Sequence, residues 1–106
     1  MKFIDSLAFP HDLNILRKYG RRFTGKYGHG YLLEDTESIK FTISIPKKKI
    51  KLAVNRNLIR RRFVSAVREI LKDQNKKFHI FYIYNFSDIL PFEKINKELE
   101  IILIKK

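Results

Sequence analysis

From Ile39 the chain alternates. Ile39, Phe41, Ile43 and Ile45 are apolar, Lys40, Thr42 and Ser44 polar, and Pro46 ends the pattern. A period of two predicts a half-buried strand, because successive side chains of a strand point to opposite faces. Residues 22–33 read as another strand, with Phe23, Tyr27, His29, Tyr31 and Leu33 on one side. The polar cluster Glu34-Asp35-Thr36-Glu37-Ser38 between them reads as a hairpin turn. Phe78–Phe86 is apolar at nearly every position, as an inner strand covered on both faces would be.

Three stretches carry a helical period. Pro10 to Tyr19 has proline just inside its start, Gly20 just past its end, and Leu13 and Leu16 spaced for one face. A longer helix is predicted from Asn55–Asn57 to Lys72. A last one follows Pro91, with Phe92, Ile95, Leu99 and Ile102 aligned. The order helix, two strands, helix, strand, helix predicts an α+β sandwich with a small sheet, one domain over residues 1–106.

The 106 residues are too few for two domains, and 44% hydrophobic residues support one core. Cysteine is absent, which excludes disulfides, thiolate metal sites and a thiol nucleophile. Met1–Phe9 carries Asp5 and lacks the apolar core of a secretory signal. The apolar runs are too short to span a bilayer, so no membrane partner and a cytoplasmic location are expected.

Charge changes the picture most. The net charge is +12, and residues 47–72 hold 10 basic side chains against one acid, Glu69. A solvated helix face normally interleaves acids with bases. So dense a patch points instead to a polyanion. On a wheel of 100° per residue, Ile59, Phe63, Ala66, Val67 and Ile70 share an apolar arc. Asn57, Arg61, Ser65, Arg68 and Lys72 form a stripe on its flank, and Arg60 lies at the edge of the arc. Arginine suits this place because its planar fork bonds phosphate bidentately and stacks on bases.

The run from Pro46 to Arg61, PKKKIKLAVNRNLIRR, resembles the signature of the bacterial ribonuclease P protein subunit, roughly S-K-K-x-G-x-A-V-x-R-N-x-x-K-R-x-x-R. Lys48, Lys49, Ala53, Val54, Arg56, Asn57 and Arg61 match, and Arg60 replaces a lysine. Asp12-Leu13 through Lys18 and Gly20 resembles the family's first helix, Tyr31 falls at a strand tyrosine, and Phe92-Glu93 opens a final helix. The resemblance covers residues 10–104 in order, with its specific part in 47–68. Departures are Val64 for the closing arginine, Lys51 for the glycine after Ile50, and Lys47 for the serine. Leu13 and Arg17 stand where the first helix offers aromatics, and the basic N-terminal arm is missing.

The resemblance implies a ribosomal-protein-like two-layer sandwich with a four-stranded-type sheet and a left-handed βαβ crossover. It also implies a ribonucleoprotein endonuclease that removes the 5′ leader of precursor tRNA. In that family the RNA holds the catalytic Mg2+, and no protein partner is required. Carried onto this chain, Lys48, Lys49, Lys51, Arg56, Asn57, Arg60, Arg61 and Arg68 would bind ribonuclease P RNA. Arg17, Phe23 and Tyr31 would line a groove for the leader of precursor tRNA.

Independently, no protein active site or metal site assembles from the residues. His11, His29 and His79 are scattered, and the one acidic cluster, Glu34, Asp35 and Glu37, reads as a solvated turn. Gly25-Lys26-Tyr27-Gly28-His29-Gly30 lacks the Lys-Ser/Thr pair of a phosphate loop, and its glycines are expected to admit a close backbone. Tyr27, His29 and Tyr31 read either as a base-stacking face or as core, and Phe81, Tyr82 and Tyr84 as core. The rivals are a ribosomal-protein-like RNA binder with no enzyme attached, which shares the basic helix; a major-groove DNA reader, against which stands the lack of a partner helix and tight turn before it; and a stand-alone nuclease, which would need robust cleavage by the protein alone.

Overall fold

The computed structural model describes residues 4–72 and 74–105; Met1–Phe3 of the stretch read above as no secretory signal lie outside them. Its elements are β1 (Ile4–Asp5), α1 (His11–Tyr19), β2 (Arg21–Thr24), β3 (Gly28–Glu34), β4 (Ile39–Ser44), α2 (Ala53–Leu71), β5 (Phe78–Tyr84) and α3 (Phe92–Glu100). A π-helical segment, Ile101–Lys105, continues α3.

The expected strand over 22–33 is two strands. The chain reverses at Gly25–Tyr27, and β2 pairs antiparallel with β3, Phe23 opposite Gly30. Parity counted straight through the strand would leave Phe23 on the side of Tyr31; the reversal, with Phe23 opposite Gly30, puts it on the other face. The sheet has five strands rather than four, in the order β1-β4-β5-β3-β2. The segment after β3 is therefore no hairpin turn between paired strands. It steps over one slot, and the chain returns through α2 to fill that slot with β5, parallel to β4 and antiparallel to β3. Burial from both sides explains the apolar run of β5. Asp35, in the turn, adopts a left-handed φ of 59°, which aspartate tolerates better than most residues.

The main core lies between one sheet face and the helices α2 and α3. Phe41, Ile80, Tyr82 and Tyr84 of the sheet meet Ile59, Phe63, Val67, Ile95 and Leu99 of the helices. Leu71 is buried and Ile70 only partly, so the apolar arc of α2 is rotated slightly from the expected one. The helix starts at Ala53, two to four residues early, because the Asn55 and Arg56 N–H groups already bond the Leu52 carbonyl at 3.1 Å. A smaller core on the other face joins Leu7, Leu16 and Phe81, with Leu13, Tyr31, Leu33 and Ile83 packed around it. Helices thus sit on both faces. Among the described residues no helix is long and apolar enough to cross a membrane.

The glycines of β3 do admit a close neighbour. A Cβ on Gly28 would meet the Tyr82 ring at 2.6 Å, and one on Gly30 would collide with the Phe81 carbonyl.

Candidate nucleic-acid interface

The basic stripe sits on the outer side of α2. Asn57, Arg60, Arg61, Ser65 and Lys72 are exposed, as are Lys47, Lys48 and Lys51 before the helix, while Lys49 is half-buried. Arg60 Nη1 donates to Asn57 Oδ1 at 3.1 Å, one turn apart, which aligns the two on the surface. Lys72 is paired with Glu69 at 3.0 Å. Val64 packs against the main core, so the place of the motif's closing arginine is partly interior here.

Two arginines of α2 turn inward. Arg56 Nη1 donates to the carbonyls of Ile50 and Lys51 at 2.9 and 2.8 Å. Arg62 Nη1 donates to the Leu90 carbonyl at 2.7 Å. Arg56 was expected at the RNA surface, and the structure gives it the further work of holding the segment that leads into α2. Nothing in the spacing of Arg62 separates it in the sequence from Arg60 and Arg61. Arg68 is half-buried, with its Nε lacking a hydrogen-bond partner among the described residues.

The second surface is the sheet face on which α1 packs. The register sets its residues in rows: Thr42, Phe81 and Tyr31 side by side, then Ser44, Ile83 and His29. Asp12 anchors the start of α1 to β4 through Lys40 at 3.0 Å, and the Leu7 N–H donates to Thr42 Oγ1 at 2.9 Å. The helix ends beside β3, where Gly20 approaches the Leu32 carbonyl. The row of Ser44, Ile83 and His29 is partly open to solvent, Ser44 exposed and the other two half-buried. Tyr31 packs with Leu13 on this face, and Arg17 stands exposed one turn along the helix.

Phe23 is not on this face. It packs on the main core, its ring 6.0 Å from that of Tyr82, on the opposite face of the sheet. Tyr27 is likewise buried there, edge-on to Phe86. A different aromatic stands on the Tyr31 face. Phe9, 53% exposed, lies edge-on to Phe81 at 5.8 Å. It precedes a proline outside any periodic segment, so no pattern marks it. Phe81, expected as core, is buried in the smaller core beneath Phe9. His29 is half-buried on this face, and His79, on the same face, has a buried Nε2 with no hydrogen-bond partner among the described residues.

Among the described residues no three metal-ligating side chains converge. Glu34 of the acidic turn is bonded to Arg21 at 3.1 Å.

Comparison with known proteins identifies the arrangement. A family model of ribonuclease P matches residues 5–106. The fold is similar to that of the Staphylococcus aureus RNase P protein (TM-score 0.74, 21% identity, covering 92% of this chain and 91% of that one). It is similar too to the RNase P protein from Thermotoga maritima (TM-score 0.68, 20% identity, 96% and 97%). No curated protein sequence matches. With the family model spanning nearly the whole chain, the chain belongs to the ribonuclease P protein family.

Proposed function

We propose that the chain bridges two RNA strands, gripping ribonuclease P RNA with the outer side of α2 and guiding the 5′ leader of precursor tRNA along the sheet face on which α1 packs. Family membership makes it a protein subunit of the endoribonuclease ribonuclease P, associated with ribonuclease P RNA, and disfavours a ribosomal-protein-like binder with no enzyme attached. The observation that carries the finer assignment is the placement of the two surfaces. The basic stripe is on a helix packed against one sheet face and the leader surface is on the other, so neither strand blocks the other.

On the first surface Lys48, Lys49, Lys51, Asn57, Arg60 and Arg61 bind backbone phosphates. Arg56 adds the donors it does not spend on Ile50 and Lys51, and Arg68 contributes from the half-buried flank. With about five to eight phosphate contacts, the slope of log affinity against log salt is on the order of −4 to −7. On the second surface Arg17 meets leader phosphates, while Tyr31 and Phe9 offer ring faces to unpaired bases.

The protein adds binding and orientation. In this reading Mg2+ and the phosphodiester chemistry belong to the RNA; among the described residues no three metal-ligating side chains converge, and Asp12 and Glu34 are engaged by Lys40 and Arg21. The work lies in the cytoplasm, with precursor tRNA.

The test mixes the chain with a bacterial ribonuclease P RNA and 5′-labelled precursor tRNA at low Mg2+. The mature 5′ end should appear only when protein and RNA are both present. RNA binding with unchanged cleavage would overturn the assignment.

A further inference from the structure

The start of α2 borders an open cavity of about 630 Å3, within the range of small-ligand sites, roughly 300–1,000 Å3. One rim is Lys49, Lys51 and Leu52, ahead of the helix; the other is Asp88 and Ile89, after β5; Asn55 stands in the first turn of α2.

Both rims are held in place from inside the protein. Arg56 clamps the carbonyls of Ile50 and Lys51. Arg62 holds the Leu90 carbonyl, and Tyr84 Oη donates to the Asp88 carbonyl at 2.6 Å. Two of the helix's arginines are thus spent on shaping this recess. A preformed recess binds better than a mobile one, because little ordering remains to be done on binding.

Its lining is mixed in a specific way. Leu52 and Ile89, 61% and 37% exposed, are large apolar side chains left in solvent. Lys49 and Lys51 sit on the rim with Lys47 and Lys48 just upstream, so the occupant is drawn from a polyanion. Asp88 is the one carboxylate in the lining, and Asn55 the one amide. Flat apolar surface, flanking phosphate and a hydrogen-bonding edge belong together in one group, an unstacked nucleotide. A carboxylate accepts from an exocyclic amino group, as on cytosine, and RNA is read in sequence mainly at bases splayed out of the helix.

We propose that this cavity receives a single unstacked nucleotide of the RNA gripped by α2, its base between Leu52 and Ile89 with an amino group toward Asp88. This rests on the RNA-binding reading above and adds a base-specific contact to phosphate contacts that carry no sequence information.

The test titrates the full chain against a bacterial ribonuclease P RNA over a series of salt concentrations, with chemical probing of unpaired bases. Leu52→Ala/Ile89→Ala removes exposed side chains, so the fold should stand, checked by an unchanged melting temperature. Affinity should fall about tenfold, the size of losing a partly buried apolar contact, with the salt slope unchanged. Lys49→Ala should instead lower the slope by about one. One unpaired base should be protected by the wild-type chain and exposed again with the double variant and with Asp88→Ala. Undiminished affinity and protection in the double variant, while Arg61→Ala still weakens binding, would overturn the pocket alone. Failure of the wild-type chain to bind the RNA would overturn the RNA-docking reading, and the pocket with it.

Discussion

Glu98 of α3 accepts the Tyr27 N–H at 3.1 and 3.2 Å, one contact to each carboxylate oxygen, across 71 residues of chain. The same carboxylate takes the Lys26 N–H at 2.6 Å and the Tyr82 hydroxyl. Burial first, then Glu98, pushes the Tyr82 hydroxyl far above its ordinary value of 10, so it stays protonated and donating. Removing Glu98 would strand buried donors. Glu98→Ala should lower unfolding free energy by about 2–4 kcal/mol, with a smaller loss for Glu98→Gln, both read from urea midpoints.

Gly25 is small because Glu98 is there. A Cβ on Gly25 would lie 2.7–2.9 Å from the carboxylate. Gly25→Ala should destabilise by about 1–3 kcal/mol. In Gly25→Ala/Glu98→Ala the two losses should sum to less than their separate values, since the methyl then has room. Simple additivity in the cycle would contradict the contact.

Arginines of α2 divide into outward and inward. Arg61→Ala should weaken RNA binding by about 1–3 kcal/mol, reduce the salt slope, and leave the unfolding midpoint in place. Arg56→Ala should lower stability by about 1–2 kcal/mol, because two carbonyls lose their donor. Paired binding and denaturation curves for the two variants separate these roles.

The aromatic residues divide in the same way. Tyr31→Ala and Phe9→Ala should weaken binding of precursor tRNA by about 1–3 kcal/mol, the size of a lost base stack, while mature tRNA, which has no leader, is unaffected. Phe23→Ala should instead destabilise the fold by about 2 kcal/mol and spare leader affinity, since its ring packs on Tyr82. A leader defect in Phe23→Ala at full stability would reverse the assignment of faces.

Acid should loosen α1 from the sheet in two stages. Burial first, then Lys40, holds His79 below its ordinary 6.5, against the opposing pull of Asp12. Its proton therefore favours the unfolded chain. That share of stability is whole above pH 6.5 and is lost as pH falls from there through the lowered value. The Ala8 N–H first, then Lys40, holds Asp12 below 3.8, against burial. Its share is whole above pH 3.8 and is lost as pH falls through the lowered value. His79→Gln should flatten the stability curve between pH 7 and 5, and Asp12→Asn the part below pH 4.

What the sequence determined by itself is what repeats locally. The period-two run at 39–45 holds β4, the nearly continuous apolar run at 78–86 holds β5, and the three helices lie within about four residues of their expected bounds. Each follows from the fixed geometry of one element, in which spacing alone sets the face. The charge concentrated at 47–72 was legible for the same reason, since charges crowded in sequence along one helix stay crowded in space.

Tertiary structure decided everything that depends on which element meets which. Parity cannot be counted through a reversal, so only the β2–β3 pairing shows that Phe23 faces Tyr82 while Tyr31 faces α1. Only the sheet order shows β5 filling the slot between β3 and β4. Arg56 and Arg61 look alike in a motif, but one bonds carbonyls that the fold leaves within reach and the other points to solvent. A side chain's role is set by partners far along the chain, and those partners are not encoded in its own neighbourhood.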